Sequence, residues 1–321
     1  MHKYIRSLLP AWVILIMGMF LPVHALAQSD SLSFIHLTDV HLIFNIDLYQ
    51  QQLADNRRHY SQGIEPFRNI LNSVPQRTNQ GFIAVTGDLI DYFEGETPDG
   101  GMYDFQVEQF TRMVREMPFP VYLTLGNHDI TSYTWDNDAR KTSQFIAGKA
   151  RAAWIKNASC FSNGTYYSKL VNAGSATYRL IFLDNSYYAF DKEDHVTIPY
   201  LDKIQLDWLE NQIELSADDV EIVLMHLPMS AGKDQPEPDN EIYKVLSDSP
   251  SVKLILAGHK HQNVIDRFGK EGLPGIYQVQ TGAFAQDTSN WRRITLCEDK
   301  IMVSFKGKDE PELTIPVKLD Q

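Results

Sequence analysis

A chain of 321 residues with 43% hydrophobic and 22% charged side chains carries enough apolar matter for a large core, which excludes a disordered, collagen-like or polytopic membrane protein. Lys and Arg number 29 against 41 Asp and Glu, a net charge of −12. That balance argues against nucleic acid as the main partner, because a phosphate backbone demands a basic face, although an acidic chain still binds phosphates where metal ions stand between.

The first 27 residues read as a secretory signal peptide. His2, Lys3 and Arg6 form a short basic head, residues 8–21 are apolar apart from Pro10 and Gly18, and Ala25-Leu26-Ala27 supplies a small-x-small cleavage site. The apolar run is shorter than the ~20 residues of a comfortable membrane span. Cleavage after Ala27 removes Lys3 and Arg6 and leaves residues 28–321 as one domain with no stable membrane span, periplasmic or extracellular in location. An oxidising compartment permits disulfides, so Cys160 and Cys297 either pair or stay as two thiols. Neither has the close Cys or His neighbour of a thiolate metal site.

Beyond residue 28, short apolar runs alternate with stretches of helical spacing. Residues 32–37, 82–86, 121–125, 180–183, 220–225 and 252–257 are near-continuous and rich in β-branched or aromatic side chains, as in strands buried on both faces. Between them, Ile64, Phe67, Ile70, Leu71 and Val74 form one apolar stripe, Val107, Phe110, Met113, Val114 and Met117 a second, and Leu206, Leu209 and Ile213 a third. The alternation predicts a layered α/β domain. Residues 276–281, 291–297 and 301–305 follow one another without helical spacing, which predicts antiparallel pairing. Residues 94–101 and 230–241 read as polar loops.

Potential metal ligands stand at the ends of five of these runs. Asp39 and His41 follow the first, Gly87-Asp88 the second, Gly126-Asn127-His128-Asp129 the third, His226 the fifth and Gly258-His259-Lys260-His261 the sixth. In layered α/β folds strand ends carry the binding crevice, so side chains distant in sequence converge there. Of the remaining histidines after residue 27, His36 lies inside a strand and reads as core, while His59 and His195 receive no role.

In this order the motifs resemble those of the calcineurin-like metallophosphoesterases: Asp39-x-His41, Gly87-Asp88-x-x-Asp91, Gly126-Asn127-His128-Asp129, His226 and Gly258-His259-x-His261. The resemblance spans residues 39–261 and implies a four-layer α/β/β/α sandwich with two divalent metal ions. Carried over residue by residue, it places Asp39, His41 and His261 on one metal, Asn127, His226 and His259 on the other, and Asp88 across both. His128 would then stabilise or protonate the leaving group, Asp129 would orient its imidazole, and Asp91 would support the ligands from behind. Mixed imidazole and carboxylate donors suit Mn, Fe, Zn or Co better than Ca. Two such ions clamp a phosphoryl group and lower the pKa of a bridging water, making hydroxide the nucleophile.

The same comparison narrows the substrate. Tyr92 and Phe93 follow Asp91 where the protein phosphatase branch has Asp-Arg-Gly. His41 and Asp91 separate the chain from purple acid phosphatases, and too few residues follow His261 for the extra domain of secreted 5′-nucleotidases. The expectation is an exported phosphodiesterase acting on a small phosphorylated substrate such as a cyclic nucleotide or glycerophosphodiester. The alternatives are a secreted phosphomonoesterase or a non-catalytic metal-binding scaffold. Aromatic residues of 131–135 and 184–190 read as packing rather than as a substrate wall.

Overall fold

The computed structural model describes residues 30–79, 81–136, 139–191, 196–216, 219–229, 239–270, 272–273 and 275–317, with the side chains of 188–191 and 196–197 outside the description. The signal pattern of residues 1–27, His195 and most of the 230–241 segment lie outside the described residues.

Two six-stranded sheets face each other. One runs in the order Pro311–Pro316, Lys300–Ser304, Trp291–Cys297, Ser31–Leu37, Ile83–Thr86 and Val121–Thr124. The other runs Val264–Phe268, Ile276–Gln280, Val252–Ala257, Val220–Leu224, Ala176–Phe182 and Tyr167–Ala173. Side-chain alternation explains the layering. Phe34, Phe82 and Ala84 of the first sheet pack against Leu180, Phe182, Ile222, Leu224, Leu254 and Leu256 of the second. The intervening residues point outward: Ile35, Ile83 and Val85 meet Phe67, Ile70 and Leu71 of helix Ile64–Arg77, Phe110 of helix Gln106–Arg115 and Trp154 of helix Ala147–Asn157. On the opposite side, Ile181, Val223 and Ile255 meet Leu206 and Leu209 of helix Lys203–Glu214 and Ile242 and Leu246 of helix Glu241–Ser247. This is the expected α/β/β/α sandwich.

Three details differ from the sequence reading. Ile276–Gln280 does not join the C-terminal antiparallel strands; it lies parallel to Val252–Ala257 and antiparallel to Val264–Phe268, while only Trp291–Cys297, Lys300–Ser304 and Pro311–Pro316 form the antiparallel extension of the first sheet. The segment read as a polar loop at 94–101 contains strand Glu94–Glu96, which enters a small four-stranded sheet with Met102–Tyr103, Ser132–Asp136 and Ala139–Ser143. That sheet sits over one end of the sandwich and walls the site described next. Helix Gln51–Ser61, too polar to show a stripe, packs beside it through Leu53, Ala54 and Tyr60.

Cys160 and Cys297 are unpaired. His36 is fully buried between Thr86 and Thr281, 2.9 and 3.1 Å from their hydroxyls, as a core histidine. Burial and the charge of Arg292 push its pKa down to about 3, so it stays neutral. Among the described residues no helix is long and apolar enough to cross a membrane.

Candidate metal centre

The parallel strands of both sheets deliver their C-terminal ends to one edge, and the backbone turns sharply there. Asp39, His41, Asp88, His259 and His261 all adopt positive φ, between 48 and 68°. Non-glycine residues rarely take that conformation, at a cost of about 1–3 kcal/mol each. Five such residues at one locus mark a place where side-chain position outweighs backbone comfort. The glycines of the motifs act by leaving room: a Cβ on Gly126 would stand 2.3 Å from Oδ1 of Asp88, and one on Gly258 would stand 2.4 Å from Oδ2 of Asp39.

Two overlapping donor sets result. Asp39, His41, Asp88 and His261 form the first, and Asp88, His226 and His259 the second. In the first, Oδ1 of Asp39 lies 3.1 Å from Nε2 of His261 and 3.8 Å from Nε2 of His41, the two imidazoles approach to 3.3 Å, and Oδ2 of Asp88 stands 3.6 Å from His41. In the second, the same Oδ2 lies 3.2 Å from Nε2 of His226, and Oδ1 of Asn127 is 3.2 Å from His226 and 3.0 Å from Nδ1 of His259. Donors bound at about 2.0–2.2 Å to one ion stand roughly 3.0–3.5 Å apart, close to the 3.0 to 3.8 Å seen here. Oδ1 of Asp39 is buried and accepts no hydrogen bond, as expected of an oxygen reserved for a cation. The residues therefore fit a pair of divalent ions, with Asp88 common to both.

The field of the site is consistent with that fit. Burial opposes ionisation of Asp88, but the charges of His226 and His128 hold its carboxyl well below the usual range. Burial likewise opposes charge on His226, yet Asp88 and Asp39 push it up to about 9. The carboxylates thus draw a proton to a place where a cation would compete with it.

Around the donors the structure brings in residues that the motifs do not announce. Asp91 accepts from Arg57 in a two-pronged ion pair, with Nε at 2.7 Å, and its Oδ1 lies 3.3 Å from Nδ1 of His41. Burial opposes its ionisation, but the neighbouring imidazoles of His128 and His41 and the guanidinium of Arg57 hold the Asp91 carboxyl well below the usual range. Asn185, after strand Ala176–Phe182, accepts from the backbone N–H of His226 at 2.9 Å and of Leu227 at 3.2 Å, fixing the turn that aims His226. Tyr60 stacks on His41 with ring centroids 5.0 Å apart. Such outer partners set the orientation of metal-binding imidazoles. A lone Arg, Asn or Tyr in a sequence gives no sign of this.

His128 stands at the rim of the donor sets. Its Nδ1 lies 2.7 Å from the carbonyl oxygen of Asp91, 2.9 Å from the hydroxyl of Tyr133 and 3.5 Å from the carboxylate of Asp91. Burial opposes its charge, but Asp88 and Asp91 push its pKa up to about 9, a field that bound cations would counter. Asp129 does not orient this imidazole as its position in the motif suggested. Its carboxylate instead accepts backbone N–H bonds from Leu89 and Ile90 at 2.9 and 3.1 Å and from Gly126 at 2.7 Å. Asp129 ties the Gly87-Asp88 loop to the Gly126-Asn127 loop, and Asp91 with Tyr133 takes over the orienting role. Tyr133 and Thr131 also belong to the wall of a polar cavity beside His128, of about 420 Å³, rather than to packing alone.

A family model described as calcineurin-like phosphoesterase matches residues 32–263. No curated protein sequence matches the chain. Among solved structures, a dimetal phosphatase from Danio rerio is 15% identical, with a TM-score of 0.58 over 89% of this chain and 99% of its own. The anchor GAP50 of the Plasmodium inner membrane complex gives 13% and 0.53 over 91% and 90%. A purple acid phosphatase from yellow lupin, Lupinus luteus, gives 13% and 0.54 over 89% of this chain and 53% of its own. At these identities the likeness is one of fold.

Proposed function

This chain belongs to the calcineurin-like phosphoesterase family, whose members use a dinuclear metal centre, and from that premise we propose that it hydrolyses a small phosphodiester. The observation that carries this reading is the pair of donor sets joined at Asp88, with His128 at their rim beside a polar cavity of about 420 Å³. Asp39, His41 and His261 would hold one ion, Asn127, His226 and His259 the other, and Asp88 both. Bound divalent ions supply Lewis-acid charge and lower the pKa of water, and the mixed N and O donors suit Mn, Fe, Zn or Co.

The chain's own residues do the rest. The backbone N–H of His128 donates to Oδ1 of Asp88 at 2.9 Å, so the rim histidine and the shared carboxylate are held in one frame. With Nδ1 occupied by Asp91 and Tyr133, Nε2 of His128 is the ring atom left to give a proton to the departing oxygen. The cavity beside it offers room for the alcohol that leaves, which hydrolysis of any phosphate ester requires. The absence of the Asp-Arg-Gly continuation after Asp88 speaks against a phosphoprotein substrate.

The deciding assay compares bis(p-nitrophenyl) phosphate with p-nitrophenyl phosphate, with a chelator control. Faster, chelator-sensitive turnover of the diester is expected. A preference for the monoester would overturn the diester reading, and no turnover by protein carrying two ions would leave a metal-binding scaffold. We also infer export, from the basic head, apolar run and Ala25-Leu26-Ala27 site. N-terminal sequencing of protein recovered from producing cells should then begin at Gln28; an intact Met1 would refute it.

A further inference from the structure

The cavity beside His128 carries a cation that the chemistry above does not use. Strands Ser132–Asp136 and Ala139–Ser143 pair antiparallel with Tyr133 opposite Thr142 and Trp135 opposite Arg140. Directly opposed residues share a face, so Tyr133, Trp135, Arg140 and Thr142 lie on one side of the hairpin. That side closes the cavity, whose wall includes Asn127, His128, Tyr133, Arg140, Thr142 and Gln144. The guanidinium of Arg140 sits 4.8 Å from the centroid of the Tyr133 ring, and the hydroxyl of that ring is 2.9 Å from Nδ1 of His128. A positive charge is thus held one phenol ring away from the candidate proton donor.

Arg140 makes no ion pair among the described residues, whereas its neighbour Lys141 pairs with Asp136. An arginine at the cavity with no ion pair among the described residues is notable in a chain with 41 acidic and 29 basic side chains. The guanidinium lies over the face of Tyr133, and among the described residues no carboxylate pairs with it, so it can offer its N–H groups to an incoming carboxylate or phosphate. Every wall residue named is polar, so the cavity is built for a charged or hydroxylated group rather than an apolar one.

We propose that Arg140 binds a second anionic group on the leaving-group side of the scissile bond, so that the preferred substrates are phosphate esters whose departing alcohol carries its own carboxylate or phosphate. This rests on the phosphoesterase reading above and names its substrate class. Arg140 acts on affinity for the leaving portion, and its charge takes no part in bond breaking.

The test uses two non-hydrolysable probes, phenylphosphonate and 4-phosphonobenzoate, which share the group aimed at the metal centre and differ by one carboxylate. Their dissociation constants are measured by calorimetry on the Mn²⁺-loaded full-length chain and on its Arg140→Ala and Arg140→Lys variants. The unaltered protein should bind 4-phosphonobenzoate roughly five- to twentyfold more tightly, a ratio that shrinks with added salt. Arg140→Ala should bring the ratio to about one, and Arg140→Lys should retain part of it. Equal binding of both probes by the unaltered protein, or a preference that survives Arg140→Ala, would overturn the assignment. Binding of neither probe, together with no chelator-sensitive turnover, would remove the phosphoesterase reading and this inference with it. Arms with a phosphate in place of the carboxylate, using phenylene bisphosphonate, separate the two anion types: a larger ratio for the bisphosphonate points to a phosphorylated leaving group.

Discussion

Asp88→Asn is expected to lower hydrolysis by on the order of a thousandfold or more and to reduce the bound metal below two ions per chain. One oxygen of Asp88 faces both donor sets, 3.6 Å from His41 and 3.2 Å from His226, while the other accepts the backbone N–H of His128. The substitution is informative because asparagine tolerates the left-handed backbone that Asp88 adopts at φ 50°. Shape and backbone are therefore kept, and what is lost is the negative charge between two cations. Metal analysis and kcat/KM measured on the same preparation check it. Two ions retained with near-normal turnover would show that the two sets do not depend on a shared carboxylate.

The parts of this molecule that could be read in advance are those covered on both sides. Residues 32–37, 220–225 and 252–257 are near-continuous apolar runs because each strand faces the other sheet on one side and helices on the other. The structure places them at Ser31–Leu37, Val220–Leu224 and Val252–Ala257. Where one side meets solvent or the site, that signal vanishes. Strand Ala139–Ser143 reads ARKTS and is mostly exposed, and helix Gln51–Ser61 buries only Leu53, Ala54 and Tyr60. Arg57 and Arg140, carried by these two elements, were invisible for that reason, although one pairs with Asp91 and the other lies over the ring of Tyr133.

Within the candidate site the donors were legible because their chemistry is confined to a few residue types at strand ends. Apart from Asp91, which the Gly-Asp-x-x-Asp spacing announces, their supports were not, since hydrogen bonds to backbone atoms leave no pattern of spacing. Asp129 shows the difference. Adjacent in sequence to His128, it turns its carboxylate away to three backbone N–H groups, while Asp91, further off in the chain, reaches the imidazole. The left-handed conformations of Asp39, His41, Asp88, His259 and His261 were equally hidden, because propensity alone would assign such positions to glycine or asparagine.

His128→Ala separates catalysis from metal binding. The imidazole lies in neither of the two donor sets joined at Asp88, so the variant should keep two ions while losing turnover. The size of the loss should depend on the alcohol that departs. Nitrophenolate leaves without help, so bis(p-nitrophenyl) phosphate should slow by only about tenfold, whereas a diester with an alkyl leaving group should slow by roughly 10²–10⁴-fold, the usual range for a positioned acid. Tyr133→Phe, which removes only the hydroxyl 2.9 Å from Nδ1, should fall between the two while leaving Asp91 to hold the ring. A uniform loss across leaving groups would assign His128 to charge stabilisation at phosphorus instead, and a loss of metal would place it among the ligands. The cluster of His41, Asp91 and His128 within one another's reach makes the second outcome a chemically meaningful alternative, because Asp91 touches both a donor imidazole and the rim imidazole. The dependence on leaving group is what distinguishes a proton donor from either.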